Sequence, residues 1–320
     1  MRSLLVLLCI TTRCLGKHVI LFQRIIQSGG TSIVELLKVL QNRNDFILAA
    51  VDEKLSNTAH LSMLNGKPQL ATRLVDDGKS CDATNRTGGL SHRRVAEAVD
   101  AHLRGAVDGL GHDAILLHGH FNYDAWIEHP ADAGLRVDRV AVLREPVARV
   151  ISNYNFMRRG CLGAGAAIPC TALAKRSRAK LSACFDDVAC RGWLASLCRH
   201  QTEAVCGHDA IACLVGDDVA RAAWLSARYA HLGTTERVYE TVVAWEAALP
   251  RFFAGAAALY DNLTLFDGKS EWRYNVAPPS DDAERYEDLP ARAQSWLEGA
   301  CAAESALYEA TKRAFPTVRT

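Results

Sequence analysis

Apolar residues along this chain alternate between short unbroken runs and longer stretches at helical spacing. Val19 to Arg24 reads as a buried strand, followed by a short loop containing Gly29 and Gly30 and a helix from about Thr31 to Gln41. Phe46 to Val51 is a second strand, Ala114 to Leu117 a third and Val137 to Leu143 a fourth. Asp52 to Leu90 is polar and rich in turn-forming residues, and is expected to be a long surface excursion. Ser91 is placed to cap a helix running to about Val107, and Val147 to Met157 reads as a helix after the fourth strand. Val219 to Tyr229 is helical, and His231 to Glu236 is a short strand or turn. Val238, Val242, Trp245, Leu249 and Phe252 step at helical spacing as a core-facing stripe. Trp272 to Asp282, with Pro278 and Pro279, reads as a loop, and Pro290 to Phe315 as a terminal helix. Strands alternating with helices predict an α/β fold, a parallel β-sheet flanked by helices, with ligands at the strand C-terminal ends.

Three polar segments follow predicted strands: residues 27–32, 118–120 and 144–152. In a parallel sheet they converge on one edge. The first is strand, tight loop and helix N-terminus, an arrangement that leaves main-chain N–H groups and partial positive charge facing a ligand. Gly29 and Gly30 allow close approach of an anion, and Ser28, Thr31 and Ser32 add hydroxyls. Phosphate or sulfate is the expected ligand class. A nucleotide kinase would carry G-x-x-x-x-G-K-[ST] here, but no lysine precedes Thr31, which disfavours that class. Arg144 at a strand end, with Ser152 eight residues later on the next helix, pairs a planar cation with a hydroxyl and suits a terminal phosphate.

Composition narrows the choice. The 320 residues are 49% hydrophobic and 23% charged with a net charge of +1, ordinary for a globular chain and unlike a general nucleic-acid binder. Cations for an acidic substrate must then be local, as in the group Arg136, Arg139, Arg144, Arg149, Arg158 and Arg159. Residues 1–16 resemble a short secretory signal or a truncated anchor, with Arg2 before an apolar core at Leu4 to Ile10 that is too short to span a bilayer. Residues 17–320 read as a single domain. Of eleven cysteines, Cys161, Cys170, Cys184, Cys190, Cys198, Cys206 and Cys213 lie close together, so 160–215 reads as a disulfide-rich insertion in an oxidising compartment. Their odd number calls for a free thiol or a partner outside, such as Cys81 or Cys301. Zinc, with His200 and His208 as further ligands, is the weaker alternative because no C-x-x-C pair is present. Sequons at Asn85 and Asn262 fit a luminal glycoprotein.

Together the motifs resemble the Golgi sulfotransferases that modify glycosaminoglycans, most closely the heparan sulfate and uronyl 2-O-sulfotransferases. Arg24 to Ser32 looks like that family's loop for the 5′-phosphosulfate of the donor PAPS (3′-phosphoadenosine 5′-phosphosulfate). His118-Gly119-His120-Phe121 resembles its histidine motif, and Arg144 to Tyr154 its 3′-phosphate segment. Leu232 to Glu236 and the following helix to Phe253 resemble a later block, with the cysteine-rich insertion in between, as in the family. The likeness runs from about Val19 to Phe253. It implies a P-loop-like sulfotransferase fold and a PAPS site formed by Gln27, Ser28, Gly29, Gly30, Thr31, Ser32, Arg144 and Ser152. It also implies His120 as general base with His118 supporting it, and a polyanionic carbohydrate acceptor, a uronic acid 2-OH, in the Golgi lumen. No metal and no nucleic acid are implied. Arg24 corresponds to a position contacting the acidic glycan, and Arg158 and Arg273 are further candidates. Imidazole suits the base because its pKa lies near neutrality.

One departure bears on activity. The family has lysine where this chain has Gln27, and proline where it has Ile26. That lysine donates to the bridging oxygen as sulfate leaves, and its loss costs about 3 kcal/mol, on the order of a hundredfold in rate. Two expectations follow: a sulfotransferase that compensates, or a weak or inactive relative that binds nucleotide and glycan.

Overall fold

The computed structural model describes residues 16–25, 27–55, 58–63, 70–71, 104–105, 107–119, 134–161, 180–207, 213–265 and 283–316. Nearly all of the leader segment, His120, Arg273, the Asn85 sequon, Cys81, Cys170, His208, most of the helix expected from Ser91 and the whole loop expected at Trp272 to Asp282 lie outside them.

β1 (His18–Gln23) is buried along its whole length and lies in the middle of the sheet. β5 (Ala114–Gly119) and β6 (Arg136–Leu143) flank it in parallel, with Phe22 opposite both His118 and Val140. β2 (Ile47–Leu55) pairs in parallel with β5, and β7 (His231–Thr234) with β6. β3 (Thr58–Met63) and β4 (Leu70–Ala71) extend the sheet antiparallel beyond β2, giving the order β4-β3-β2-β5-β1-β6-β7. Four of the five parallel strands are those expected from the apolar runs, since the covered part of a parallel strand is apolar on both faces, and β7 is the segment expected as a short strand or turn. β3 and β4 fall in the stretch expected to be an irregular excursion. β4 is only two residues long and β3 mixes polar and apolar residues, so neither forms an apolar run within that stretch.

Strand residues alternate between two layers. Ile20, Phe22, Leu116, Val140 and Val142 pack against α1 (Gly30–Arg43), α7 (Val238–Ala248) and α8 (Pro250–Phe253), through Leu37, Leu40, Val242, Trp245 and Phe253. On the opposite face, Ala141 and Leu143 meet Val205 of α5 (His200–Cys206), Leu225 of α6 (Asp218–Ser226) and Leu307 of α11 (Ala302–Ala314). α9 (Ala256–Leu265) adds Leu259 to the first layer. The expected stripe is confirmed, with Val242, Trp245, Leu249 and Phe252 no more than 1% exposed, although Pro250 breaks it into two helices. Among the described residues no single helix is long and apolar enough to cross a membrane. α7 settles close on β7 because residue 233 has no side chain: a Cβ there would lie 2.0 Å from the Thr241 methyl.

A second core joins α2 (Pro146–Cys161), α3 (Leu181–Cys184), α4 (Val188–Leu197) and α10 (Ala291–Ala300) around Tyr154, Trp193, Leu194 and Leu297. Disulfides Cys184–Cys190, Cys198–Cys301 and Cys206–Cys213 tie this region. They remove the zinc reading for these cysteines, and Cys301 is one of the two outside partners expected. The terminal helix is two helices, α10 and α11, separated at the bridged Cys301.

Trp245 Nε1 donates to His231 Nδ1 at 3.0 Å, and burial lowers the His231 pKa to about 4. Indole N–H only donates, so protonating Nδ1 would destroy this contact. The unfolded chain takes up that proton near the ordinary value of 6.5, so stability from this residue is complete above about pH 6.5 and is lost as pH falls toward 4. His231→Gln keeps an acceptor without titrating. Denaturant unfolding of this variant between pH 6.5 and 4 is expected to show an acid loss smaller than wild type by about 2–3 kcal/mol.

Candidate functional site

The turn from β1 into α1 is built from main-chain constraints. Arg24 N–H donates to the Gly119 carbonyl at 2.7 Å, which locks together the ends of β1 and β5. Gln23, the last residue of β1, is held on the opposite face, its Oε1 accepting from Tyr229 Oη at 2.5 Å and its Nε2 donating to the Ala204 carbonyl at 3.2 Å. The loop then closes with Ser28 N–H on the Ile25 carbonyl at 3.2 Å. Gln27 and Gly29 both take left-handed backbone, at φ 63° and 73°. Glycine adopts this freely, whereas glutamine does so at a cost of about 1 kcal/mol, a strain typical of functional turns. Gly29 supplies no side-chain cap to α1, and no acidic residue occupies the first turn. Arg24 Nη2 donates to Thr31 Oγ1 at 3.3 Å and adds a guanidinium to the same helix end. The result is a helix N-terminus electrostatically suited to an anion.

The turn from β6 into α2 meets this loop. Glu145 caps α2, accepting from the N–H groups of Val147 at 3.1 Å and Ala148 at 2.6 Å, with Pro146 at the first helical position. Capping frees Arg144 to reach across: its Nη1 donates to the Gln27 carbonyl at 3.2 Å. One helical face further on, Ser152 Oγ donates to Gln27 Oε1 at 3.2 Å. Two segments more than a hundred residues apart in sequence therefore meet on a single residue. The end of β7 completes the rim. Thr235 Oγ1 donates to the Leu143 carbonyl at 3.0 Å, and Glu236 accepts from Glu145 N–H at 2.9 Å and Tyr308 Oη at 2.8 Å. Burial lowers the Arg144 pKa; Glu236 and Glu145 oppose that shift, and the nearby Arg149 adds to it. Arg144 is thus a partly buried cation flanked by two carboxylates beside the loop.

The structure gathers Gln27, Ser28, Gly29, Gly30, Thr31, Ser32, Arg24, Arg144 and Ser152 at one sheet rim. Ser28 is turned inward, 1% exposed, with its hydroxyl 3.4 Å from Gln201 Oε1. His118 is the fifth residue of β5, buried at 4% exposure, on the strand next to β1. Arg158 lies further along α2, close enough to Tyr154 to act on its hydroxyl electrostatically.

Sequence reading missed a buried chain of polar residues behind the site. Gln201 of α5 is 0% exposed, accepts from Arg144 N–H at 2.7 Å and donates to the Arg144 carbonyl at 2.9 Å. Its own N–H donates to Glu304 Oε1 at 2.6 Å, joined by Thr202 N–H at 3.3 Å, so a carboxylate from α11 caps α5. Arg149 Nη2 meets the other oxygen of Glu304 at 2.9 Å, and both side chains are fully buried. Burial pushes the Glu304 carboxyl upward in pKa, and Arg149 with the two N–H donors pulls against it. No local pattern announces these residues, since each contact spans about fifty residues or more. Arg149→Met leaves the Glu304 charge buried without its cation and is expected to cost about 3–5 kcal/mol in denaturant unfolding. Adding Glu304→Gln should recover part of that loss.

No family model matches the chain. Over 158 residues it is 29% identical to heparan sulfate 2-O-sulfotransferase hst-2 of Caenorhabditis elegans, an alignment covering 44% of this chain and 44% of that protein. The chain thus matches less than half the length of this relative. The finding bears out the resemblance read from the motifs, and the parallel sheet flanked by helices agrees with it.

Proposed function

We propose that this chain, similar as it is to the heparan sulfate 2-O-sulfotransferases, moves a sulfuryl group from PAPS to a sugar hydroxyl of a polyanionic glycan, a uronic acid 2-OH, in the Golgi lumen. The observation that carries the reading is the meeting of Arg144 and Ser152 on Gln27. It sets a cation and a hydroxyl beside an uncapped helix N-terminus, so that two anionic groups of one nucleotide can be held at once. The residues fit such a donor: Gly29 and Gly30 give main-chain access, Thr31 and Ser32 carry hydroxyls on the first turn of α1, and no carboxylate occupies that turn. The three disulfides among the described residues suit an oxidising, luminal compartment.

When bound, the donor supplies the activated sulfuryl group. The chain supplies alignment and charge. The α1 N-terminus holds the 5′ end, and Arg144 with Ser152 holds the 3′-phosphate. Arg24 faces the acidic glycan, with Arg158 and Arg273 as further contacts. His120 accepts the acceptor hydroxyl proton, and His118, the fifth residue of β5, supports it. Most of the rate enhancement then comes from positioning and electrostatics.

A second reading, a weak or inactive nucleotide- and glycan-binding relative, is favoured by Gln27. Its amide brings no charge, and its Oε1 is engaged by Ser152. Transfer of radiolabelled sulfate from PAPS to a panel of desulfated glycosaminoglycans, with linkage analysis of the product, decides between them. Product at a uronic acid 2-OH supports the transferase. Retained nucleotide without product supports the binder, and no affinity for desulfated PAPS overturns both.

Gln27→Lys is expected to raise turnover about 10–100-fold, with little change in affinity for the desulfated donor. Equal or lower turnover would show that another group already carries the leaving charge. His120→Ala should lower turnover by about a hundredfold or more at unchanged nucleotide affinity. An intact rate in steady-state kinetics would remove His120 from the role of base.

A further inference from the structure

Gln201 stands where the second core meets the sheet rim. Its side chain makes no contribution to either apolar core. Instead the amide brackets Arg144 through both main-chain groups, at 2.7 and 2.9 Å, one residue beyond the last β6 pair. The same Oε1 lies 3.4 Å from Ser28 Oγ in the β1–α1 loop. One fully buried amide therefore ties together the two turns that line the candidate nucleotide site. Both lone pairs of Oε1 are in use, so a substitution that keeps volume but removes polarity breaks every one of these ties.

Gln201 is itself fixed from behind. Cys198 and Cys301 are joined, and three residues after each cysteine stand Gln201 and Glu304. Glu304 accepts from the Gln201 N–H at 2.6 Å and is held by Arg149, five residues after Arg144 on the adjoining helix. The disulfide thus sets the register of α5 against α11, that register aims the amide, and the amide sets the backbone from which the Arg144 guanidinium reaches the Gln27 carbonyl.

We propose that Gln201 is a positioning residue for nucleotide recognition: by clamping Arg144 against Ser28 it gives the site its preference for a 3′-phosphorylated nucleotide. This rests on the nucleotide-dependent reading above and adds a residue to it. Gln201 touches no ligand; it acts through Arg144, so its removal loosens the 3′-phosphate grip more than the grip on the 5′ end at α1.

The test is calorimetric titration of the intact, disulfide-bonded chain with adenosine 3′,5′-bisphosphate and, separately, adenosine 5′-monophosphate. Wild type should prefer the bisphosphate by at least about tenfold, the range of one charge-assisted contact. In Gln201→Met that preference should fall by about tenfold while affinity for the monophosphate stays within about twofold. Gln201→Glu keeps the acceptor for Arg144 N–H but loses the donor to its carbonyl and adds negative charge. It should lose the preference too, and it decides the matter if the methionine variant does not fold. An unchanged preference in a folded variant, or equal weakening of both nucleotides, overturns the inference, since a purely structural role predicts one of those results. Absence of any preference in wild type instead overturns the nucleotide reading, so the two failures are distinct.

Discussion

The turn between β1 and α1 constrains the rest of the molecule. Within a few residues the chain leaves a strand buried on both sides and enters a helix. Arg24 N–H is already bonded to Gly119, and left-handed backbone is required at Gln27 and Gly29. A turn this tight presents main-chain groups outward and leaves no room for a capping side chain. Its carbonyl at Gln27 is the point on which Arg144 lands, and its amide is the point on which Ser152 lands. The strained residue is therefore also the one that carries contacts from the neighbouring turn, which is how backbone strain is sustained in a folded chain.

The second core explains how so many polar groups survive burial behind that turn. A fully buried Arg149 and Glu304 would be costly in isolation. Here the carboxylate also caps α5, and α5 in turn delivers Gln201 to the backbone of Arg144. Hydrogen bonds link Arg149, Glu304, Gln201 and Arg144 in turn, from the disulfide-linked helices to the sheet rim. A network of this kind specifies one arrangement, because a shift of one helix leaves several buried groups unpaired at once. The cysteine-rich insertion is thus continuous with the site through hydrogen bonds.

Much of the scaffold was legible from local patterns. β1, β5 and β6 carry short apolar runs, Val19–Phe22, Ala114–Leu117 and Val140–Leu143, where both faces are covered, and α1 and α7 show their buried stripes. The loop at residues 27–32 was legible because glycines and hydroxyls between a strand and a helix have few other uses. β3 and β4 were not, since a mixed six-residue strand and a two-residue strand near an edge carry too little pattern to stand out from a loop. Nor was the division of the terminal helix at Cys301, which bears the bridge to Cys198. Gln201 and Glu304 were illegible for a different reason. A single glutamine or glutamate in a helix is ordinarily a solvated residue, and only its burial shows otherwise.

By itself the sequence determined the parallel α/β architecture and the anion-suited loop, with Arg144 and Ser152 each one strand end away. Those features are local: periodicity, glycine placement and strand–turn–helix order act over a few residues. What only the tertiary structure decided is that Gln27 receives both Arg144 and Ser152, that Cys301 is the partner of Cys198, and that Gln201 clamps the Arg144 backbone. Those depend on packing between segments up to 125 residues apart, where burial removes water as the competing hydrogen-bond partner and leaves each polar group to be matched by whatever the fold brings near it.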